Sequence, residues 1–171
     1  MPPEPPGYLV DTNVLSNRSD ARRDPNLREW LRRYSRLIRI SVVTIAEMHR
    51  GLLLLEARIA AADGEPRNTM TAAHRSKRAW YDPVLNMFAD RIEPIGLDVA
   101  ERWAETSVRF PALRNGDKAI AATALAKGHG VATRNLGDYL QTGLMLVNPF
   151  DPGTWHDIWD DNPLSPLLDS E

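Results

Sequence analysis

Tyr8-Leu9-Val10-Asp11-Thr12-Asn13 decides how this chain is read. Three apolar residues run into an acid and then into two turn-forming residues. That pattern predicts a short buried strand with Asp11 at its carboxyl end. In an open parallel α/β sheet, ligands bind at that edge. A plainer reading is an Asx turn that closes the strand through its own backbone. The rest of the chain has to decide between the two.

Downstream, Ser16 to Arg23 is a polar loop, and Asp24 is placed to cap a helix with Pro25 at its first position. Leu27, Trp30, Leu31 and Tyr34 follow at helical spacing and leave the arginines outward. Leu37 to Ser41 is the second expected strand, and Thr44 opens the next helix, with Ile45, Met48, Leu52 and Leu55 as its apolar stripe. Gly64 and Pro66 break the pattern. Asn68 to Ala89 is again helical, with Trp80, Val84, Met87 and Phe88 on one side and a kink or restart at Asp82-Pro83. Ile92 to Ile95 reads as a strand, followed by a helix from Asp98 that buries Val99, Ala100, Trp103, Ala104 and Val108. Asn115-Gly116-Asp117 starts an alanine-rich helix that stops at Gly128 or Gly130. Gly130 to Thr133 and Leu144 to Val147 are the remaining strands. Strands alternating with helices predict a parallel sheet covered on both faces.

A chain of 171 residues with 43% hydrophobic and 26% charged residues is ordinary for one globular domain. The absence of cysteine excludes disulfides and thiolate metal sites and fits a reducing compartment. The proline-rich start, Met1 to Gly7, lacks the regions of a signal peptide, and the run Leu52 to Leu55 is too short to span a bilayer. The expected location is the cytoplasm, away from membranes. The net charge of −2 hides an asymmetry. Asp151, Asp157, Asp160, Asp161, Asp169 and Glu171 have no Lys or Arg among them, and removing these six from 23 acids leaves 17 against 21 basic residues in 1–148. Arg18, Arg22, Arg23, Arg28, Arg32, Arg33, Arg36 and Arg39 supply much of that excess. Such a cluster binds phosphates or simply forms a solvated helix face. Residues 1–150 are therefore expected to form the domain, with 151–171 an acidic, tryptophan-containing extension.

Four carboxylates fall at one kind of place. Asp11 ends the first strand, Glu47 lies in the first turn after the second, Asp117 opens the alanine-rich helix, and Asp138 follows the strand ending at Thr133, with Asn135 at that strand's exit. A parallel sheet gathers such positions along one edge. Each acid also has a plainer role. Thr44-Ile-Ala-Glu47 is a capping box, Asp117 suits a helix N-terminus, and Asp138 can cap a turn. Gly51, one turn after Glu47, allows that face a close approach, and Ala121 and Ala124 do the same for the helix of Asp117. Two carboxylates about 4 Å apart repel by roughly 4 kcal/mol at an effective dielectric near 20. Convergence therefore demands protonation or a cation. Oxygen donors without Cys or clustered His suit Mg²⁺ or Mn²⁺, which polarise a phosphoryl oxygen and deprotonate water. This is the chemistry of phosphodiester hydrolysis.

Tyr8 to Asn13, Thr44 to Gly51, Asp117 to Ala124 and Ala132 to Asp138 resemble, in order, the successive motifs of PIN-domain ribonucleases. More narrowly they resemble the VapC/FitB-like toxins of type II toxin–antitoxin pairs, from about Tyr8 to Phe150. The resemblance implies a PIN-like three-layer α/β/α sandwich with a mostly parallel central sheet. It implies a Mg²⁺- or Mn²⁺-dependent endoribonuclease leaving 5′-phosphate and 3′-hydroxyl ends, with transfer RNA the commonest substrate class. It also implies a cognate antitoxin and a homodimer that assembles into a heterotetramer or larger. Asp11, Glu47 and Asp117 carry over as metal-binding acids, and Asp138 or Asn135 completes the set. Thr12 and Asn13 are expected to orient Asp11, and Thr133 to position water.

Other chemistries find no support. There is no Gly-Lys-Ser or Gly-Lys-Thr phosphate loop and no Gly-x-Ser-x-Gly elbow. His49, His74, His129 and His156 show no ligand spacing. The alternative to an enzyme is a non-catalytic PIN-like module that binds RNA or protein through the arginine cluster and the Trp155/Trp159 tail.

Overall fold

In the computed structural model, which describes residues 6–15, 24–63 and 72–155, the stretch read first is the middle strand of a five-stranded sheet. In chain order the elements are β1 (Tyr8–Val10), α1 (Thr12–Leu15), α2 (Pro25–Arg33), β2 (Ile38–Ser41), α3 (Val42–Asp63) and α4 (Ala72–Met87). Then come β3 (Ile92–Glu93), α5 (Leu97–Arg109), α6 (Asn115–Lys127), β4 (Gly130–Ala132), α7 (Leu136–Tyr139) and β5 (Leu146–Val147). The strands lie in the order β3-β2-β1-β4-β5 and every pairing is parallel: Tyr8 opposes Ile38 and Gly130, Ile40 opposes Ile92, and Val131 opposes Leu146.

Successive side chains of a strand point to opposite faces. Tyr8 and Val10 therefore join Leu27, Trp30, Tyr34, Ile38, Ile40, Val84 and Phe88 in one core. Leu9 joins Ile120, Ala121, Ala124, Val131 and Tyr139 in the other. Helices cover both faces, giving the three-layer sandwich expected of the sequence. Trp30 stacks on Tyr34 at 5.2 Å between centroids, and Tyr8 meets both rings edge-on. Each such aromatic pair adds about 0.5–1.5 kcal/mol beyond its buried area. Trp155, in the first turn of the C-terminal extension, packs edge-on against Tyr34.

Local signals set several boundaries. Asp24 caps α2 by accepting from the Leu27 amide at 3.0 Å, with Pro25 leading the helix, a cap worth about 1 kcal/mol. Gly128 ends α6 in the left-handed conformation, φ 69°, which a Cβ would oppose. α4 runs on through Pro83 without restarting.

Other expectations are corrected. α3 opens at Val42, not Thr44, and there is no Thr44–Glu47 capping box. Ser41 Oγ accepts from the Val43 amide at 3.2 Å, while Thr44 Oγ1 donates to the Val10 carbonyl at 3.2 Å. Thr44 is thus spent tying α3 to β1, and Glu47 is left to face outward from the helix. In α5 the buried side is Val99 and Thr106 with Trp103 half-buried; Ala100, Ala104 and Val108 are exposed, Val108 by 85%. α5 carries apolar residues on two faces, and only one meets this chain. Met87 is also exposed. The loop Ser16 to Arg23, the break at Gly64 and Pro66, the Asn68 helix start, the Trp80 side chain and the tail beyond Trp155 lie outside the described residues.

Candidate active site

Asp11 leaves β1 with its amide still bonded to the Ala132 carbonyl at 2.9 Å, so the strand pairing itself delivers its carboxylate to the sheet's C-terminal edge. The side chain is 5% exposed. Its Oδ2 accepts from Asn13 Nδ2 and from Thr133 Oγ1, both at 2.8 Å. Asn13 Nδ2 also reaches Thr133 Oγ1 at 3.0 Å, its Oδ1 accepts from the Arg134 amide at 3.2 Å, and Thr133 Oγ1 accepts from the Asn135 amide at 3.1 Å. Thr133, at the exit of β4, is the junction of this network. Burial pushes the Asp11 carboxyl above its ordinary range; the Thr133 hydroxyl pulls the other way, and the like charges of Asp117 and Glu47 push it further up.

Glu47 reaches the same place from α3. The Thr12 hydroxyl donates to its carboxylate, so Thr12 holds Glu47 and not Asp11. Gly116 makes room for it: a Cβ there would collide with Glu47 Oε1. Gly51, expected to allow a close approach, faces open space, with nothing within 4 Å of a Cβ.

Asp117, 6% exposed, is the third residue of α6. Arg114 forks onto it, donating from Nε to Oδ2 at 2.7 Å and from a terminal nitrogen to Oδ1 at 3.3 Å. The Tyr139 hydroxyl points at the same Oδ1 from 3.4 Å. Burial, with the charges of Asp11 and Asp117, drives the Tyr139 phenol well above its usual range, so it stays a protonated donor.

These groups line one cleft of about 310 Å³: Asp11, Glu47 and Asp117, with Thr12, Asn13, Asn135, Arg114 and Gly116. Asp138 does not line it. Its side chain is 46% exposed and its carboxylate stands 3.8 Å from Arg114, which does line the cleft. The donor set is all oxygen, suiting a hard cation, and the like charges of Asp117 and Glu47 add to the effect of burial on Asp11. As the side chains are placed, no three Asp, Glu, His or Cys residues among those described stand close enough to hold an ion. Arg114, Gly116 and Tyr139 were not singled out from sequence. The i,i+3 spacing of Arg114 and Asp117 was a readable signal for the first; Tyr139 offered none.

The chain is similar in sequence and fold to known proteins. A PIN domain family model matches residues 8–137. The chain is 32% identical over 158 residues to the toxin FitB of Neisseria gonorrhoeae, covering 87% of this chain and 99% of that protein. It is 28% identical over 149 residues to the VapC ribonuclease Y4jK of Sinorhizobium fredii, covering 84% of this chain and 98% of that protein. A chain in the solved structure of FitAB bound to the IR36 DNA fragment shares the fold, with a TM-score of 0.67 at 24% identity over 84% of this chain and 96% of that one. The family match spans the strand of Asp11, the helices of Glu47 and Asp117, and the Thr133 exit, and on that ground this chain belongs to the PIN domain family.

Proposed function

We propose that this chain is the toxin of a toxin–antitoxin pair and a Mg²⁺- or Mn²⁺-dependent endoribonuclease, with Asp11, Glu47 and Asp117 as its metal-binding acids. The observation that carries the reading is that three acids, from β1, α3 and α6, line one cleft at the C-terminal edge of a parallel sheet. Bound there, the cation supplies the Lewis acidity that makes water nucleophilic at neutral pH and offsets charge on the phosphoryl group. The chain's own residues set the stage. Thr133 and Asn13 fix the rotamer of Asp11, Thr12 fixes Glu47, and Tyr139 keeps a proton directed at Asp117. Asn135, lining the cleft without a charge, orients water or a phosphate oxygen. Asp138 acts on the site through Arg114.

Cleavage of a structured RNA, a transfer RNA first, tests this with Mn²⁺ and then with chelator, beside Asp11→Ala. Metal-dependent cutting lost in the variant, with 5′-phosphate and 3′-hydroxyl ends, is expected. Cyclic phosphate ends would overturn the mechanism. No cutting by folded protein that also binds no Mn²⁺ would leave a non-catalytic module.

For the partner, support comes from the FitAB complex named among the structural neighbours. The antitoxin is placed on the exposed Leu53 and Leu54 of α3, the helix that also carries Glu47. The homodimer is placed on the second apolar face of α5, where Leu97 and Val108 are 75% and 85% exposed in line with Ala100 and Ala104. No helix among the described residues is long and apolar enough to cross a membrane.

A further inference from the structure

Arg114 stands immediately before α6, and its guanidinium lies over Asp117, the acid at the heart of the cleft. A fork of this kind is the strongest form of charge-assisted hydrogen bond, and it engages both carboxylate oxygens at once. Those are the atoms a divalent cation needs. A guanidinium and a dication on one carboxylate also repel each other. The Arg114 side chain is itself 71% exposed, so little packing holds it in place. A second acid waits beside it: Asp138, half-exposed and outside the cleft, is 3.8 Å from the same guanidinium.

We propose that Arg114 is the site's built-in counter-ion, and that a divalent cation loads only by displacing its guanidinium from Asp117 toward Asp138. The proposal rests on the metal-binding reading of the same cleft and gives that reading a regulatory device. In the metal-free protein Arg114 offsets the mutual repulsion of Asp11, Glu47 and Asp117, keeping the cleft folded but closed to the ion. Loading then occurs above a metal concentration that the Arg114–Asp117 pair sets. Asp138 is not a ligand in this scheme; it receives the arginine when the ion enters.

Calorimetric titration of Mn²⁺ into the full-length, chelator-stripped chain tests this without reference to cleavage. Because the Arg114 side chain is 71% exposed and its charge is screened by solvent, Arg114→Gln is expected to bind Mn²⁺ tighter by roughly threefold to tenfold. Arg114→Lys, which keeps the charge but loses the fork, falls between it and the native chain and serves if the glutamine variant does not fold. Asp138→Asn is expected to weaken binding in the native background and to have no effect in the Arg114→Gln background. Unchanged or weaker binding in both Arg114 variants would overturn the proposal, as would an Asp138→Asn loss that persists without Arg114. Heat from none of these proteins, each folded by circular dichroism, would overturn the metal reading of the cleft and the Arg114 proposal with it.

Discussion

Thr133 Oγ1 donates to Asp11 Oδ2 at 2.8 Å, joining the ends of two adjacent parallel strands across 122 positions of sequence. The bond does two things. It satisfies a buried carboxylate, and it resists the upward push that burial exerts on the Asp11 carboxyl. Thr133→Val keeps the shape and removes the donor. It is expected to cost ~1–3 kcal/mol in urea unfolding with chelator present, the range for a buried acceptor that loses a partner. The loss should be larger at neutral than at acidic pH, because the ionised form suffers more. A variant as stable as the native chain would show that Asn13 alone suffices.

β1 and β4, and with them the site's edge, were readable because each is a short apolar run ending in polar, turn-forming residues. Asp11 and Thr133 could be placed at strand exits on that basis alone. The α5 error has a different origin. Periodicity reports that Val108 and Ala104 lie on an apolar face, but not which molecule covers it. Glu47 lies on the expected helix but in its second turn, not its first, and its partner is not the expected one. The capping-box pattern describes Thr44 by sequence distance, whereas the fold gives Thr44 to Val10 and Glu47 to Thr12. Long-range hydrogen bonds of this kind exist only once the sheet has assembled.

Gly116→Ala separates stability from function. The added methyl meets Glu47 Oε1, the far end of a flexible side chain, so Glu47 swings away from Thr12 and the cleft while the helix persists. Alanine also favours α6 by up to about 1 kcal/mol over glycine. The expected outcome is an unchanged or higher melting temperature with cleavage reduced at least tenfold. Full activity would mean that the position of Glu47 does not matter.

Asp117 and Asp138 are predicted to differ sharply although both touch Arg114. Asp117 is buried in the cleft and Asp138 is half-exposed outside it. Asp117→Asn should lower cleavage by roughly a hundredfold or more, and Asp138→Asn by less than about tenfold, the smaller effect being typical of a residue acting through another. Equal losses measured under identical Mn²⁺ saturation would make Asp138 a ligand instead.

The second apolar face of α5 predicts a solution dimer. Val108 is 85% exposed, so Val108→Asp removes little from the folded monomer and should leave its melting temperature within a few degrees. Sedimentation is expected to show a dimer for the native chain and a monomer for the variant. A native chain that sediments as a monomer without its partner would remove α5 as the dimer face.

Asp11 gives the pH dependence its sign. Its folded value is raised above the ordinary 3.8, so the folded state favours the protonated form. The stability this contributes is fully present below the ordinary value and is lost as pH rises through the folded one. Asp11→Asn cannot ionise and escapes that loss. In chelator, its melting temperature should match the native chain's near pH 3.8 or below, rise above it as pH climbs through the raised value, and hold a constant margin beyond. Mn²⁺ should reverse the order at neutral pH, stabilising the native chain and leaving the variant unmoved. An Asp11→Asn protein less stable than the native one at neutral pH in chelator would mean that the hydrogen bonds from Asn13 and Thr133 outweigh burial and the neighbouring charges, and that no counter-ion is needed to keep Asp11 ionised.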